Sequence, residues 1–146
     1  MAQLSFNKLG IKLPNEKVSF EFNGQTVEVE GFLNTFTKIH MVSSAVKTAA
    51  IEGYVNEMVL EASLHFLIIE NYTNLKFTEK HIANMVDTFD LLYSSGLMAE
   101  IISRLPEGDY DYLFQQSLKL AEKFDKLAIS SLQGYAGQKD ATESLG

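Results

Sequence analysis

From Val18 to Val29 the chain alternates apolar and polar residues on both sides of Asn23-Gly24. A period of two belongs to a strand, and Asn-Gly accepts the positive φ angles of a two-residue turn, so the segment predicts a β-hairpin. The turn sets the register. Phe22 faces Gln25, Phe20 faces Val27 and Val18 faces Val29 on an apolar side, with Lys17 against Glu30, Ser19 against Glu28 and Glu21 against Thr26 on a polar side. A lone hairpin is marginal, so the side carrying Val18, Phe20, Val27 and Val29 must rest on something, and the helices that follow are the expected floor. Ahead of it, Leu4 to Leu13 alternates loosely and stops at Pro14-Asn15, predicting an extended arm or an edge strand over residues 1–16, the latter a third strand beside the hairpin.

Beyond the hairpin the apolar period becomes that of helices. Asn34 or Thr35 caps a first helix running to about Ala50, with Phe36, Ile39, Val42 and Val46 at intervals of three and four, and Gly53 ends the stretch. From Tyr54 to about Asn71, Val55, Met58, Val59, Ala62, Phe66 and Ile69 form one stripe, while Leu60, Leu64, Leu67 and Ile68 fill much of the remainder. A helix apolar nearly all round is buried on several sides, so this one is the expected centre of the core. Phe77-Thr78-Glu79 starts a helix reaching Tyr93, with Ile82, Met85, Val86, Phe89 and Tyr93 inward and Ser94-Ser-Gly96 as its stop. Leu97, Met98, Ile101, Ile102 and Leu105 suit a short helix closed by Pro106-Glu-Gly108. A last helix runs from Asp109 to about Leu132 on Tyr110, Leu113, Phe114, Leu120, Phe124 and Leu127, and Gly134-Tyr-Ala-Gly137 ends it. The fold class expected is mainly α: about five helices around a central buried helix, with an N-terminal β-hairpin. Residues 17–133 form the domain and 134–146 a flexible tail.

Composition narrows the function more than the fold. With 146 residues, 46% hydrophobic and 21% charged, the chain is an ordinary single domain that can bury a core without a metal or covalent staple. Zero cysteines exclude thiol catalysis, thiolate zinc sites and disulfides. Glu61, His65 and Glu70 interrupt the longest apolar run, so no membrane span is expected. Met1 to Gly10 lacks a basic region followed by an apolar stretch, so no secretory signal is expected and a cytosolic origin fits. The formal net charge is −7, from 12 Lys and Arg against 19 Asp and Glu, and Arg104 is the only arginine. Phosphate backbones call for clustered cations and forked Arg donors, so direct nucleic-acid binding is not expected. Residues 52–111 hold eleven acids and three cations, a net of −8 that leaves +1 for the rest. Such an acidic middle reads as a solvated exterior and is also able to steer a basic partner.

A search for chemistry finds little. Glu57, Glu61 and His65 fall at intervals of four along one helical face, but position 64 is Leu and no second helix offers a Glu-x-x-His pair. The set reads as a solvent-facing polar strip. Asp109 and Asp111 suit the positive end of a helix and need no acid–base role. There is no glycine-rich phosphate loop, no Gly-x-Ser-x-Gly elbow and no His-Glu-x-x-His. The ten Phe and six Tyr follow strand or helical spacing and read as core. No catalytic, cofactor-binding or metal-binding residue is expected, and the chain is expected not to be an enzyme.

The Asn-Gly hairpin ending in Gly31-Phe-Leu33, the run Glu70-Asn-Tyr-Thr-Asn-Leu-Lys-Phe-Thr-Glu79, Leu91-Leu-Tyr-Ser-Ser-Gly-Leu97 and Ile101-Ile-Ser-Arg-Leu-Pro-Glu-Gly-Asp-Tyr110 together give a pattern over about residues 18–130. It resembles small acidic proteins of tailed bacteriophages that infect Gram-positive bacteria. The resemblance implies a part in building or stabilising the particle, at capsid, neck or tail, after synthesis in the host cytoplasm. The function expected is that of a non-enzymatic virion protein, multi-copy or homo-oligomeric, whose partners are other virion proteins. The arm and hairpin edge supply the candidate partner-binding residues Leu4, Phe6, Leu9, Ile11, Leu13, Phe22, Asn23 and Gly24, because an extended segment can add a strand to a neighbour's open edge. The alternatives are a tail-assembly chaperone absent from the finished particle and a small regulatory binder of a host protein.

Overall fold

Two asparagines and a threonine start three of the helices by the same local device. In the computed structural model, which describes residues 2–14 and 16–126, α1 (Thr35–Ala49) begins where the Asn34 side chain accepts from the Thr37 amide at 2.8 Å. Asn56 does the same for Val59 at the head of α2 (Glu57–Tyr72). Thr78 heads α3 (Glu79–Ala83) with a reciprocal box in which His81 takes the place usually held by Glu or Gln. The remaining helices are α4 (Met85–Ser94), α5 (Leu97–Ile102), entered through Gly96 at φ 81°, and α6, described over residues 109–126. The protein is mainly helical with an N-terminal hairpin, as the pattern predicts. No helix among the described residues is long and apolar enough to cross a membrane.

The hairpin pairs β1 (Val18–Phe22) with β2 (Gln25–Val29) in the predicted register, and Lys17 reaches Glu30 at 3.3 Å on its polar side. Its floor is the core together with the end of α2. The Glu30 amide donates to the Tyr72 carbonyl at 2.7 Å, Val29 bridges Thr73, and the Asn74 side chain accepts from the Glu28 amide while donating to the Thr26 carbonyl. Val27 and Val29 are buried, Phe20 and Phe22 are half-buried, and the Arg104 guanidinium lies 4.2 Å from the centre of the Phe20 ring. Val18 is the exception on this side, 44% exposed at the end of the ribbon.

α1 and α2 form the principal helix pair, and α2 is the central helix expected, with Leu60, Leu64, Phe66, Ile68, Ile69 and Tyr72 all buried. The core also takes in Met98, Ile101 and Leu113 from the later helices. Several apolar positions fall elsewhere than the spacing predicts. In α1 the buried stripe is Met41, Val42, Ala45, Val46 and Ala49, and about 100° per residue puts Phe36 on the opposite side, 86% exposed, with Ile39 at the edge. Tyr54-Val55 does not begin α2. It forms β4, which pairs with β3 (Ala50–Ile51) across Glu52-Gly53, both at positive φ, as a second, minimal hairpin.

The helix expected from Glu79 to Tyr93 is two helices. At Asn84 (φ −108°, ψ 52°) the side-chain amide donates to the Lys80 carbonyl, and the buried Thr88 hydroxyl lies 3.0 Å from the carbonyls of both His81 and Asn84. Asn and Thr side chains that compete for helical backbone groups break the ladder there. The inward face of α4 therefore turns to Met85, Thr88, Phe89 and Leu92, leaving Ile82, Val86 and Tyr93 exposed. The predicted stretch from Leu127 to Leu132 and the tail 134–146 lie outside the described residues.

Candidate interaction surface

Residues 2–14 are exposed throughout. They hold Leu4, Phe6, Leu9, Ile11 and Leu13, each between 52% and 72% exposed. The segment contains one 3-10 turn, Phe6–Leu9, closed by Gly10 in the left-handed region, and no strand, so the edge-strand alternative is not what forms. Among the described residues no hydrogen bond or ion pair links 2–14 to the rest of the chain. The chain becomes fixed at its junction with the hairpin, where the Glu16 backbone crosses Gly31 so closely that a Cβ there would collide with the Glu16 carbonyl oxygen.

The other candidate residues sit at the hairpin tip. Asn23 (φ 49°) and Gly24 (φ 79°) make the turn and are exposed, while Phe22 is half-buried against the core. β2 is bonded on both sides, by β1 and at Thr73, whereas β1 pairs with β2 alone, so among the described residues the outer edge of β1 is open.

Two surface features escaped the sequence pattern. Met58, 81% exposed in the first turn of α2, and Val86, 71% exposed in α4, flank a groove of about 170 Å³ lined also by Val59, Ala62, Met85 and Phe89 and rimmed by Glu61 and Asp90. Periodicity placed both residues inward, because it cannot tell a buried stripe from one that reaches past the element covering it. A second concavity of about 410 Å³ lies between α1 and α6, where Ile39 and Tyr112 are surrounded by Lys119, Lys123 and Lys126. The surface is thus acidic along α2 and α4 and mixed along this part of α6, where Glu122 and Asp125 alternate with the lysines.

The polar groups that looked most like chemistry turn inward. His65 is fully buried, in contrast to the solvent-facing strip expected. Its Nδ1–H donates to the Glu61 carbonyl at 2.6 Å, which leaves Nε2 to accept from the Tyr110 hydroxyl at 3.0 Å, with Phe89 and Tyr93 edge-on to the ring. Burial pushes the His65 pKa down and that of Tyr110 up. Both ring nitrogens are engaged, so His65 does not join Glu57 and Glu61 as a ligand, and no group of three His, Cys, Asp or Glu among the described residues is placed to hold a metal ion.

Asp109 has more than a helix-start role. It accepts from Lys38 at 3.0 Å and from the Tyr72 hydroxyl at 2.8 Å, tying α1, α2 and α6 together at one shielded point. Burial and the neighbouring carboxylate raise the Tyr72 pKa, keeping that hydroxyl a proton donor. These contacts hold helices in place.

Comparison with protein-family models, with curated proteins and with solved structures finds no match for this chain.

Proposed function

We propose that the chain is a non-enzymatic structural protein of a bacteriophage particle, present in many copies at capsid, neck or tail and working through contacts with other virion proteins. The observation that supports this reading most is the arm: five large apolar side chains, Leu4, Phe6, Leu9, Ile11 and Leu13, are exposed on a segment that no hydrogen bond or ion pair among the described residues ties to the rest of the chain. Exposed apolar surface gathered in one place marks a site for protein contact. The open edge of β1 and the turn at Asn23-Gly24 offer a second place for a neighbour, by strand addition. The interior, with His65, Tyr72 and Asp109 engaged in helix-to-helix bonds, supports a scaffold. Removing residues 1–14 leaves the helical signal and unfolding midpoint essentially unchanged but abolishes incorporation into particles. Normal incorporation of the truncated protein overturns the proposal.

The exposed groove at Met58 and Val86 also suits a tail-assembly chaperone that holds an aggregation-prone partner. Mass spectrometry of purified particles separates the two readings, since a chaperone is absent from them and a structural protein is present in stoichiometric amount.

A further inference from the structure

The arm and the groove between α2 and α4 match each other in hydrophobicity and in charge. From Ala2 to Pro14 the arm carries Lys8 and Lys12 and no acid. The groove is apolar at Met58, Val59, Ala62, Met85, Val86 and Phe89, and Glu61 and Asp90 stand on its rim, with Glu57 one turn before Glu61 and Asp87 next to Val86. Neither α2 nor α4 contains a lysine or arginine. We infer that the arm of one copy of this chain docks in the α2–α4 groove of a second copy. This deepens the arm-mediated reading above, and rests on it, by naming the surface that receives the arm.

Three observations select this pairing. Residues 2–14 are exposed and so are Met58 and Val86, so the arm of the same copy does not cover the groove, and a neighbour's arm is the occupant. The concavity between α1 and α6 is mixed in charge, with Lys119, Lys123 and Lys126 beside Glu122, which pairs with Lys126 at 3.2 Å, whereas the charged residues lining the α2–α4 groove are acids, so charge favours the acidic side for a basic arm. At about 170 Å³ the groove is smaller than the roughly 300 Å³ at which small-molecule sites begin, and it suits apolar anchors from an extended peptide. In an extended segment Ile11 and Leu13 lie on one side and Lys12 on the other, so the anchors enter the groove while the lysine stays on the water side, from which its long stem can fold back toward the acids that line the groove. Arm and groove are different surfaces. Repeated from copy to copy, the contact builds a ring or filament, and exchanged between two copies it builds a closed dimer.

Sedimentation of the full-length protein over a range of concentrations tests this. The wild type self-associates, less so at high salt, and both Val86→Asp and Lys8→Glu/Lys12→Glu weaken association at least about tenfold. Val86 is exposed, so its replacement leaves the unfolding midpoint in place, which circular dichroism verifies. Chains lacking residues 1–14 and Val86→Asp chains are each monomeric, and mixing them restores association, because one supplies the groove and the other the arm. A monomeric wild type, association insensitive to Val86→Asp, or a mixture that stays monomeric overturns the inference. If any of these holds while removal of residues 1–14 still abolishes incorporation into particles, the arm acts on another virion protein and the proposed function stands. Normal incorporation without residues 1–14 defeats the proposed function itself.

Discussion

The hairpin and the arm adjoin in the sequence and are both rich in large apolar side chains, yet among the described residues the first is anchored and the second has no hydrogen bond or ion pair to the rest. Val27 and Val29 are buried under backbone and side-chain bonds to Tyr72, Thr73 and Asn74, whereas Leu4, Phe6, Leu9, Ile11 and Leu13 touch water. Asn23-Gly24 closes a ribbon whose strands satisfy one another's backbone groups, so the ribbon arrives at the helices as a formed unit with one apolar face. Among the described residues the arm has only the local bonds of the turn at Phe6–Leu9, with exposed apolar side chains attached. Hydrophobicity alone therefore does not place a segment in the core. Pre-paired backbone does much of the work.

The sharpest way to break the contrast is a charge in each region. Val29→Asp buries an unpaired carboxylate under the hairpin and is expected to cost on the order of 4 kcal/mol, enough to unfold much of the population, while Leu9→Asp changes stability by less than about 0.5 kcal/mol. Urea denaturation of the two variants measures both, and equal losses contradict the division drawn here.

A smaller effect is expected at the joint between the regions. Gly31→Ala sets a methyl group against the Glu16 carbonyl and should destabilise by about 1–3 kcal/mol through the shift it forces. Hydrogen exchange is expected to show the loss in the hairpin amides first, with the α1–α2 pair least affected.

The smallest effect depends on pH. Folded His65 is neutral and its pKa lies below the ordinary 6.5, so as pH falls through about 6.5 the unfolded chain takes up a proton that the folded chain refuses. This contribution is intact above that pH, declines by at most about 1.4 kcal/mol per pH unit below it, and stops declining once the folded pKa is passed. His65→Gln removes that share of the acid sensitivity, read as the difference in urea midpoints between neutral and mildly acid solution. Deleting the arm leaves it in place.

Much of the fold was legible. The hairpin register followed from Asn23-Gly24 and a period of two, the start of α1 was narrowed to Asn34 or Thr35, of which Asn34 is the cap, and the start of α3 followed from Thr78. The break at Asn84 was not, because Ile82, Met85, Val86 and Phe89 carry an uninterrupted helical period and only the hydrogen bonds of Asn84 and Thr88 interrupt it. The second hairpin at Glu52-Gly53 was read as a stop because its strands have two residues each, too short for a period to register. Of the candidate surface, the arm was named residue by residue, but the groove was hidden because Met58 and Val86 obey the spacing of core positions.

Local rules written in the chain decided which segments become strands and helices and where most of them start, since capping side chains and turn residues act over three or four positions. The absence of thiol chemistry was likewise settled by composition. Which apolar residues meet water was decided only when the elements packed, because burial depends on what lies across from a face and where that neighbour ends. The same holds for His65 and Asp109, whose partners Tyr110, Lys38 and Tyr72 stand far away in sequence and come within hydrogen-bond reach only through the packing of α1, α2 and α6.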